Sequence, residues 1–488
     1  MADRKHLFGS SEKSDFILNL TKEGTHKFCA MYCIIAMLLI ELAAVPYYLT
    51  KNVVDYVEED SGMEFTHYLS DKVIYWAGVI MFGLGILGFC VFMIGKMKKE
   101  ISLKDNKALL IMAGLIVMSL ISAVACEDMT TSMTGYLDRA EGFLTLIGYY
   151  GFFAAAFTVV GDGWRNRLCG ILIIVGSVNA AIGILQVIPA LKDTIPNWFS
   201  ELNLTFNDKV SIPAANGLAM TPHALAALLT VCFAAALAAA AFSPKPVIKL
   251  LSGAAAVLMA AAAVFTRTTT ALIGLGCAAF AIVVIAVLFA LKSSKPEEGE
   301  AVSKKTVLIS LCCAIVAAGA ALGVLAATDN VKLKDEEVIR TDSIRMLMLL
   351  QKDDADSWVY PYLWDDGMYI AEQYPLLGTG PDNWTTISAN GASIDRTYNE
   401  YIDTAMQRGF ITMALYCLFV LISLFKAIKA ALSFVKGEVG WAGAAVCAGI
   451  FAYSVQAFFN ISSLTSSPFF FILIGLAWSY TAVKKKAK

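Results

Sequence analysis

The stretch DRTYNEYIDTAMQRGFITMALYCLFVLISLF, Asp395 to Phe425, changes character at Gly409. Before the glycine lie Asp395, Arg396, Tyr398, Glu400, Tyr401, Asp403 and Arg408; after it comes a predominantly apolar run. Together with the residues that follow, that run is long enough to cross the hydrocarbon of a bilayer, which takes about 20 mostly apolar residues. A dense ionisable stretch against a membrane-length helix has two readings. It is either the rim of a polar site at the membrane face or an amphipathic interface helix with its tyrosines at headgroup level.

The rest of the chain has the same grain. Its 488 residues are 58% hydrophobic and 16% charged, with a mean hydropathy of +0.66. Those values exclude an ordinary water-facing globular fold and belong to polytopic membrane proteins. The formal net charge of -2 points to neither nucleic acid nor an acidic partner. The 11 cysteines sit in or beside apolar runs and read as small hydrophobes. Their spacing fits no metal site and no disulfide framework. The first apolar run begins near Phe28, behind Arg4, Lys5, Lys13, Lys22 and Lys27, with no small-residue cleavage site after it, which predicts a retained first helix rather than a removed signal peptide.

The expected fold class is an all-α integral membrane protein of about 12 transmembrane helices, with one long extracytoplasmic loop carrying short helices. The predicted spans are 28–49, 73–95, 107–126, 143–160, 168–189, 222–242, 247–265, 269–291, 306–327, 409–427, 440–459 and 466–483. The chain divides into a cytoplasmic segment 1–27, helices one to nine over 28–327, the long loop 328–408, helices ten to twelve over 409–483, and a basic tail 484–488. Lysine and arginine concentrate in the N-terminal segment, around Lys96–Lys104, around Lys292–Lys305 and in the tail. By the positive-inside rule both termini face the cytoplasm and the long loop faces out, in the cell membrane. In that loop TDSIRMLMLLQ and LWDDGMYIAEQY have helical apolar spacing.

Arg267, in AVFTRTTTALIG, falls between two apolar segments; an arginine near membrane depth marks a functional site or snorkels to the interface. Arg139, in YLDRAEG, either serves a site or pairs locally with Asp138 and Glu141. Glu41 lies within the first span and either lines a polar cavity or pairs with a neighbouring helix. His223 opens the span after MTP and is either a structural helix-end residue or a catalytic one.

With these placed, the sequence resembles the superfamily of O-antigen ligases and Wzy-type polysaccharide polymerases. QYPLLGTGPDNW, Gln373 to Trp384, is similar to the family's Pro-Leu-Leu-Gly-x-Gly element, with Gly378 and Gly380 at its glycines. RTYNEYIDTAMQRGFITMALY is similar to its His-Asn-x-Tyr-Leu element. MTGYLDRAEGFLTLIGYY and FTRTTTALIGL resemble two arginine-bearing segments, the second with its arginine displaced, and AFFNISSLTSSPFFFILIGLAW resembles the ending.

The resemblance implies an inverting, metal-independent glycosyltransferase without a cofactor, using a polyprenyl-diphosphate-linked oligosaccharide and membrane lipid at the outer face, and possible partnership with other parts of a polysaccharide export machine. It implies that Arg139 and Arg267 bind diphosphate and that Tyr398 and Asn399 occupy the catalytic element. Fixed guanidinium groups in a dry site suit a departing diphosphate. Tyr398 stands where many members have histidine, and a free tyrosine is roughly 99.9% protonated at neutral pH. Either Tyr398 donates to substrate, or Glu400, Asp395 or Asp403 is the base, or activity is lost. Arg396, Arg408, Arg340 and Arg345 are further cations near this element, each a phosphate contact or a solvated charge. Polymerase and ligase remain alternatives, as does a transporter or flippase of lipid-linked glycans. The absence of a half-repeat or of paired broken helices weighs against transport.

Overall fold

A computed structural model describes residues 22–43, 45–46, 54–60, 63–97, 107–136, 139–188, 201–202, 212–292, 330–332, 338–340, 359–384, 386–387, 393–394 and 396–482. The long helices are α1 (Lys22–Ala43), α2 (Leu69–Met97), α3 (Lys107–Ala125), α5 (Phe143–Phe157), α6 (Asp162–Gln186), α7 (Pro222–Phe242), α8 (Pro246–Phe265), α9 (Thr269–Lys292), α11 (Glu400–Val435), α12 (Ala442–Gln456) and α13 (Ser467–Ala482). Two shorter ones, α4 (Met129–Thr134) and α10 (Val359–Gln373), belong to connections.

Among the described residues eight helices are long and apolar enough to cross a membrane, and three shorter apolar helices accompany them. Every predicted span except 306–327 falls on one of these; 306–327 lies outside the described residues. The expected pair 247–265 and 269–291 is two separate helices, each packed on α7. Helix α7 is the axis of the bundle, almost wholly buried and touching α6, α8, α9, α12 and α13. Its alanine-rich face lets that many helices approach, as expected where packing in lipid depends on small residues. The same logic brings α2 against α5, where a Cβ on Gly85 or Gly151 would collide with the facing backbone. Around this core Leu110, Leu250, Trp76 and Phe280 point outward, an apolar surface suited to lipid.

The expected all-helical bundle is present, and short two-stranded ladders are added in its connections. The acid-rich segment between the first two predicted spans forms a hairpin, β1 (Val54–Asp60) with β2 (Met63–Tyr68), in antiparallel register with Val57 opposite Thr66 and Glu59 opposite Glu64. Its alternation of β-formers with polar residues has a period of two, which the membrane-span reading passed over. Small two-stranded ladders also join 201–202 to 212–213, 330–332 to 338–340, and 386–387 to 393–394. The helix expected from LWDDGMYIAEQY is present as α10, packed on α11, while TDSIRMLMLLQ lies outside the described residues.

Contacts between connections divide the bundle into two ends. At the far end Asp162 accepts from Gly440 N–H (3.0 Å), Asn166 from Ala442 N–H (3.1 Å), and Phe242, Phe289 and Phe434 stack together. At the other, the cleft end, gather 126–136, 139–142, 214–223, 266–268, 374–384, 396–409 and 457–467. Ala215 N–H bonds Phe265 O (2.8 Å), Thr465 Oγ1 bonds Ala219 O (2.9 Å), and Asn460 Nδ2 bonds His223 O (3.0 Å). These are the connections that the charge pattern assigns to the outside.

Candidate functional site

The opening stretch starts α11 nine residues ahead of the predicted span. Asn399 caps it: its Oδ1 accepts from Tyr401 N–H (3.1 Å) and Ile402 N–H (3.2 Å). Thr397 supports the cap, donating from its backbone N–H (2.9 Å) and its hydroxyl (2.7 Å) to Asp403 Oδ1. The helix then breaks at Gly409, where φ is 81° and ψ is 163°. A break of this kind leaves the carbonyls of the preceding turn without their intrahelical partners.

The QYPLLGTGPDNW loop fills that gap. Thr379 N–H donates to Met406 O (3.0 Å), Gly380 N–H to Gln407 O (2.8 Å), and Phe410 N–H to Pro375 O (2.9 Å). Ser122 Oγ, on α3, clamps the joint through Leu377 O (2.6 Å) and Gln407 O (3.1 Å). Side chains at Gly378 or Gly380 would strike the Gln407–Arg408 backbone or Ser132. The two glycines therefore act here through close backbone packing.

This docking carries Asp382 beneath α11. Its Oδ1 accepts from Arg139 Nε (2.9 Å), its Oδ2 from the backbone N–H groups of Tyr136 (3.0 Å) and Glu141 (3.2 Å), and Arg396 Nη2 lies 3.8 Å from Oδ1. Arg396 Nη1 donates to Glu141 Oε2 (2.7 Å) and to Ser462 O (3.1 Å). Glu141 also accepts from Tyr149 (2.9 Å) and from Ser462 Oγ (3.2 Å). Burial by itself would lower the Arg396 guanidinium, but Glu141 first and Asp382 second reverse that, leaving it above its ordinary value.

Beside this network stands Glu400, accepting from the phenols of Tyr416 and Tyr453, the second at 3.4 Å. Glu141, Leu146, Asp382, Arg396, Glu400, Asp403, Thr404, Gln407, Arg408 and Ser462 together line one cleft.

Of the sequence candidates, Arg139, Arg396, Asn399 and Glu400 come together here. Tyr398 and His223 meet next to them, with ring centroids 4.8 Å apart. Arg267 sits in the α8–α9 turn at the same end, beside the Ala215–Phe265 bond, and is not among the residues that line the cleft. Arg340 lies on a short strand with only its backbone described, and Arg345 and Asp395 fall outside the described residues. Glu41 pairs with a neighbouring helix, accepting from Asn179 Nδ2 (2.6 Å).

Arg408, one of the further cations named beside the motif, also lines the cleft, whereas Asp382, Glu141 and Tyr453 are site residues that the sequence reading did not single out. Asp382 was inside a quoted motif and Glu141 was considered only as a local partner of Arg139. Nothing in the sequence pointed to Tyr453, which reaches Glu400 from another helix.

Residues 254–417 match the Wzy_C family, O-Antigen ligase. That segment is similar to an O-antigen ligase domain. It runs from the middle of α8 into α11 and supplies Asp382, Arg396, Glu400, Asp403 and Arg408, while Glu141 and Ser462 reach the cleft from either side of it in sequence. No curated protein sequence matches the chain. With its membrane-length helices the chain is a multi-pass membrane protein.

Proposed function

We propose that the chain is a polysaccharide polymerase that moves a glycan from a polyprenyl-diphosphate donor to a lipid-linked repeat unit at the extracytoplasmic face. The observation that carries this reading is the cleft itself. Two buried arginines stand among four carboxylates at one end of a membrane bundle, largely on the O-antigen ligase domain.

In the proposed reaction an acceptor hydroxyl attacks the anomeric carbon of the donor. The bond from that carbon to the diphosphate oxygen breaks, the diphosphate leaves with the electron pair, and the hydroxyl proton passes to a carboxylate. A single displacement of this kind inverts the anomeric centre. Glu400 is the proposed acceptor of the proton. It faces the cleft, and the two phenols that hold it fix its direction, in a site where a positioned general base is worth about 10²–10⁴ in rate. Asn399 acts by capping α11, which fixes Glu400 as the first helical residue. Tyr398, held at φ 51° against His223, offers a hydroxyl to the glycan, and Arg267 at the rim meets the lipid-borne diphosphate. Guanidinium groups supply the positive charge that opposes the developing negative charge.

The test is reconstitution of the purified protein in liposomes with undecaprenyl-diphosphate oligosaccharide, resolving products by length. Wild type should give longer glycans, Glu400→Gln and Arg267→Ala should not, and Tyr398→Phe should report what the hydroxyl contributes. Intact substrate without longer product in wild type sinks the polymerase. Transfer only to an added second acceptor would make the protein a ligase, and exchange across the bilayer with no new covalent product would make it a transporter.

A further inference from the structure

Helix α10 and the turn that follows it lie at the level where α11 enters the membrane. Toward the start of α10 the Trp364 ring is 5.9 Å from Phe459. Toward its end Ile370 and Ala371 pack in one cluster with Ala405 and Met406, ahead of the Gly409 kink, and with Phe410 and Met413, past it. The chain then turns through Tyr374–Leu376, whose backbone is fastened to the kink itself. Phe410 N–H donates to Pro375 O (2.9 Å), and a Cβ on Gly409 would strike Leu376 O. Ser122, near the end of α3, holds the next carbonyl, Leu377 O (2.6 Å).

The backbone of this turn is bound to the protein, yet its side chains stand clear of it: Leu376 is 63% exposed and Tyr374 51%. The helix residues beside the attachment points are apolar and exposed as well, Ile411 on α11 and Ile121 and Val124 on α3. A single exposed leucine means little on a protein surface. Here it continues the apolar outer sides of two membrane helices.

Depth follows from lysines at the far end of the same bundle. On α11, Lys426 and Lys429 lie over the Trp478 and Phe425 rings (4.8 and 4.4 Å), as cations with aromatic neighbours do at a headgroup layer. From Lys429 back to Gly409 is about twenty residues of helix, roughly 30 Å, which is the thickness of the hydrocarbon. On α2 about the same length separates Lys96 from the exposed ring of Trp76, which lies next to the Gly78–Ala140 contact of the cleft end. Both distances put the edge of the hydrocarbon at the kink, and therefore at Leu376. Tyrosine and tryptophan concentrate at that edge.

We infer that Tyr374–Leu376 is a membrane contact, with Leu376 entering the edge of the acyl layer beside Ile411 and Tyr374 among the lipid headgroups of the leaflet at the cleft end. A lipid surface is the occupant that the matching helix lengths select, because a protein partner would impose no such spacing. Asp365, Asp366 and Glu372 are exposed on α10, so the contact belongs to the turn rather than to the length of the helix. The QYPLLGTGPDNW loop is thereby held on two sides, by the kink of α11 and by lipid. Since that loop goes on to Asp382, the cleft stands in the headgroup layer rather than above it.

The experiment uses the purified full chain in phospholipid nanodiscs. It is labelled in parallel by a phospholipid carrying a diazirine near the top of its acyl chain and by a water-soluble diazirine, and adducts are mapped by mass spectrometry. The lipid-borne reagent should mark Tyr374–Leu376 as strongly as Ile411 and about tenfold above the exposed polar turn at Gly437, whereas the water-borne reagent should mark that turn and spare Leu376. Lipid-borne adducts at Ile411 with none at Tyr374–Leu376 overturn the inference, as does strong water-borne labelling of Leu376. So does protection of both Leu376 and Ile411 from the lipid reagent together with cross-links between copies, which would give the patch to a second copy of the chain. The wild-type protein alone is labelled, so a fold lost to mutation cannot imitate these results. Because no transfer is measured, the outcome stands whether or not the chain polymerises glycans.

Discussion

The two ends of the bundle use arginine in different ways. At the far end Arg165 is satisfied by its surroundings: Nε donates to Ser479 Oγ (3.0 Å), Nη2 to Ser479 O (2.9 Å) and Nη1 to Asp162 (3.2 Å), and the guanidinium lies 4.0 Å from the centroid of the Tyr480 ring. At the cleft end Arg396 and Arg139 share buried carboxylates, and Arg408 donates to Thr404 while its Nε is buried with no hydrogen-bond partner among the described residues.

Backbone strain divides the same way. The non-glycine residues at positive φ among those described are Ala140, Met220, Arg267, Asp382 and Tyr398, all in cleft-end connections. At the far end the positive-φ positions are Gly161 and Gly437, in open space. One end is arranged for closure of the fold, whereas the other holds conformations that L-residues adopt at a cost and that gather at functional sites.

The largest expected effect breaks the cleft wall. Arg396→Ala leaves Glu141 buried without its cation and should destabilise the protein by about 3–5 kcal/mol, read by thermal melting in detergent, with transfer abolished. Arg165→Met at the far end should cost less, roughly 1.5–3 kcal/mol for its charged hydrogen bonds. Diphosphate affinity in the folded fraction should be unchanged. If Arg165→Met weakened binding as Arg396→Ala does, the division into a structural and a working end would fall.

The glycines sharpen the comparison further. Gly409→Ala would drive a Cβ into Leu376 O, undocking the QYPLLGTGPDNW loop, while Gly437→Ala meets only the intrinsic cost of positive φ, about 1–2 kcal/mol. The Gly409 variant should therefore melt lower than the Gly437 variant and also lose transfer. Equal melting temperatures would mean that the loop does not depend on the kink. The smallest effect is expected at Asp128, the exposed cap of α4, where Asp128→Ala should cost about 1 kcal/mol. Hydrogen bonds from the Thr131 side chain and backbone hold this carboxyl below its ordinary range. Its contribution is present above the unfolded-state pKa and fades as pH falls through the lower folded-state value, so wild type and variant should converge in melting temperature in strong acid.

Much of the fold was legible because membrane spans are written in composition. Apolar runs of the right length marked the helices, and charge between them sorted the connections into two groups. The hairpin at Val54–Tyr68 was missed because the segment between the first two spans was passed over in a search for long apolar runs, which a period-two pattern does not make. The site was legible in part. Arg139, Arg396, Asn399 and Glu400 were named from motifs or from chain proximity, and they do share one region. Their partners could not be read, because Asp382 lies far along the chain from Arg139, and Tyr453 reaches Glu400 from α12.

By itself, then, the sequence determined that this chain lives in a membrane, roughly where it crosses, and that the stretch before Gly409 belongs to a polar face. Those properties follow from the transfer free energy of short segments, which each segment carries alone. Only the tertiary structure decided which carboxylates the buried arginines face. It also decided that Asn399 is occupied as a helix cap and that the conformation of Gly409 creates the dock for a distant loop. Pairing, burial and leftover hydrogen-bonding capacity are relations between segments, and they exist only once the chain has brought those segments together.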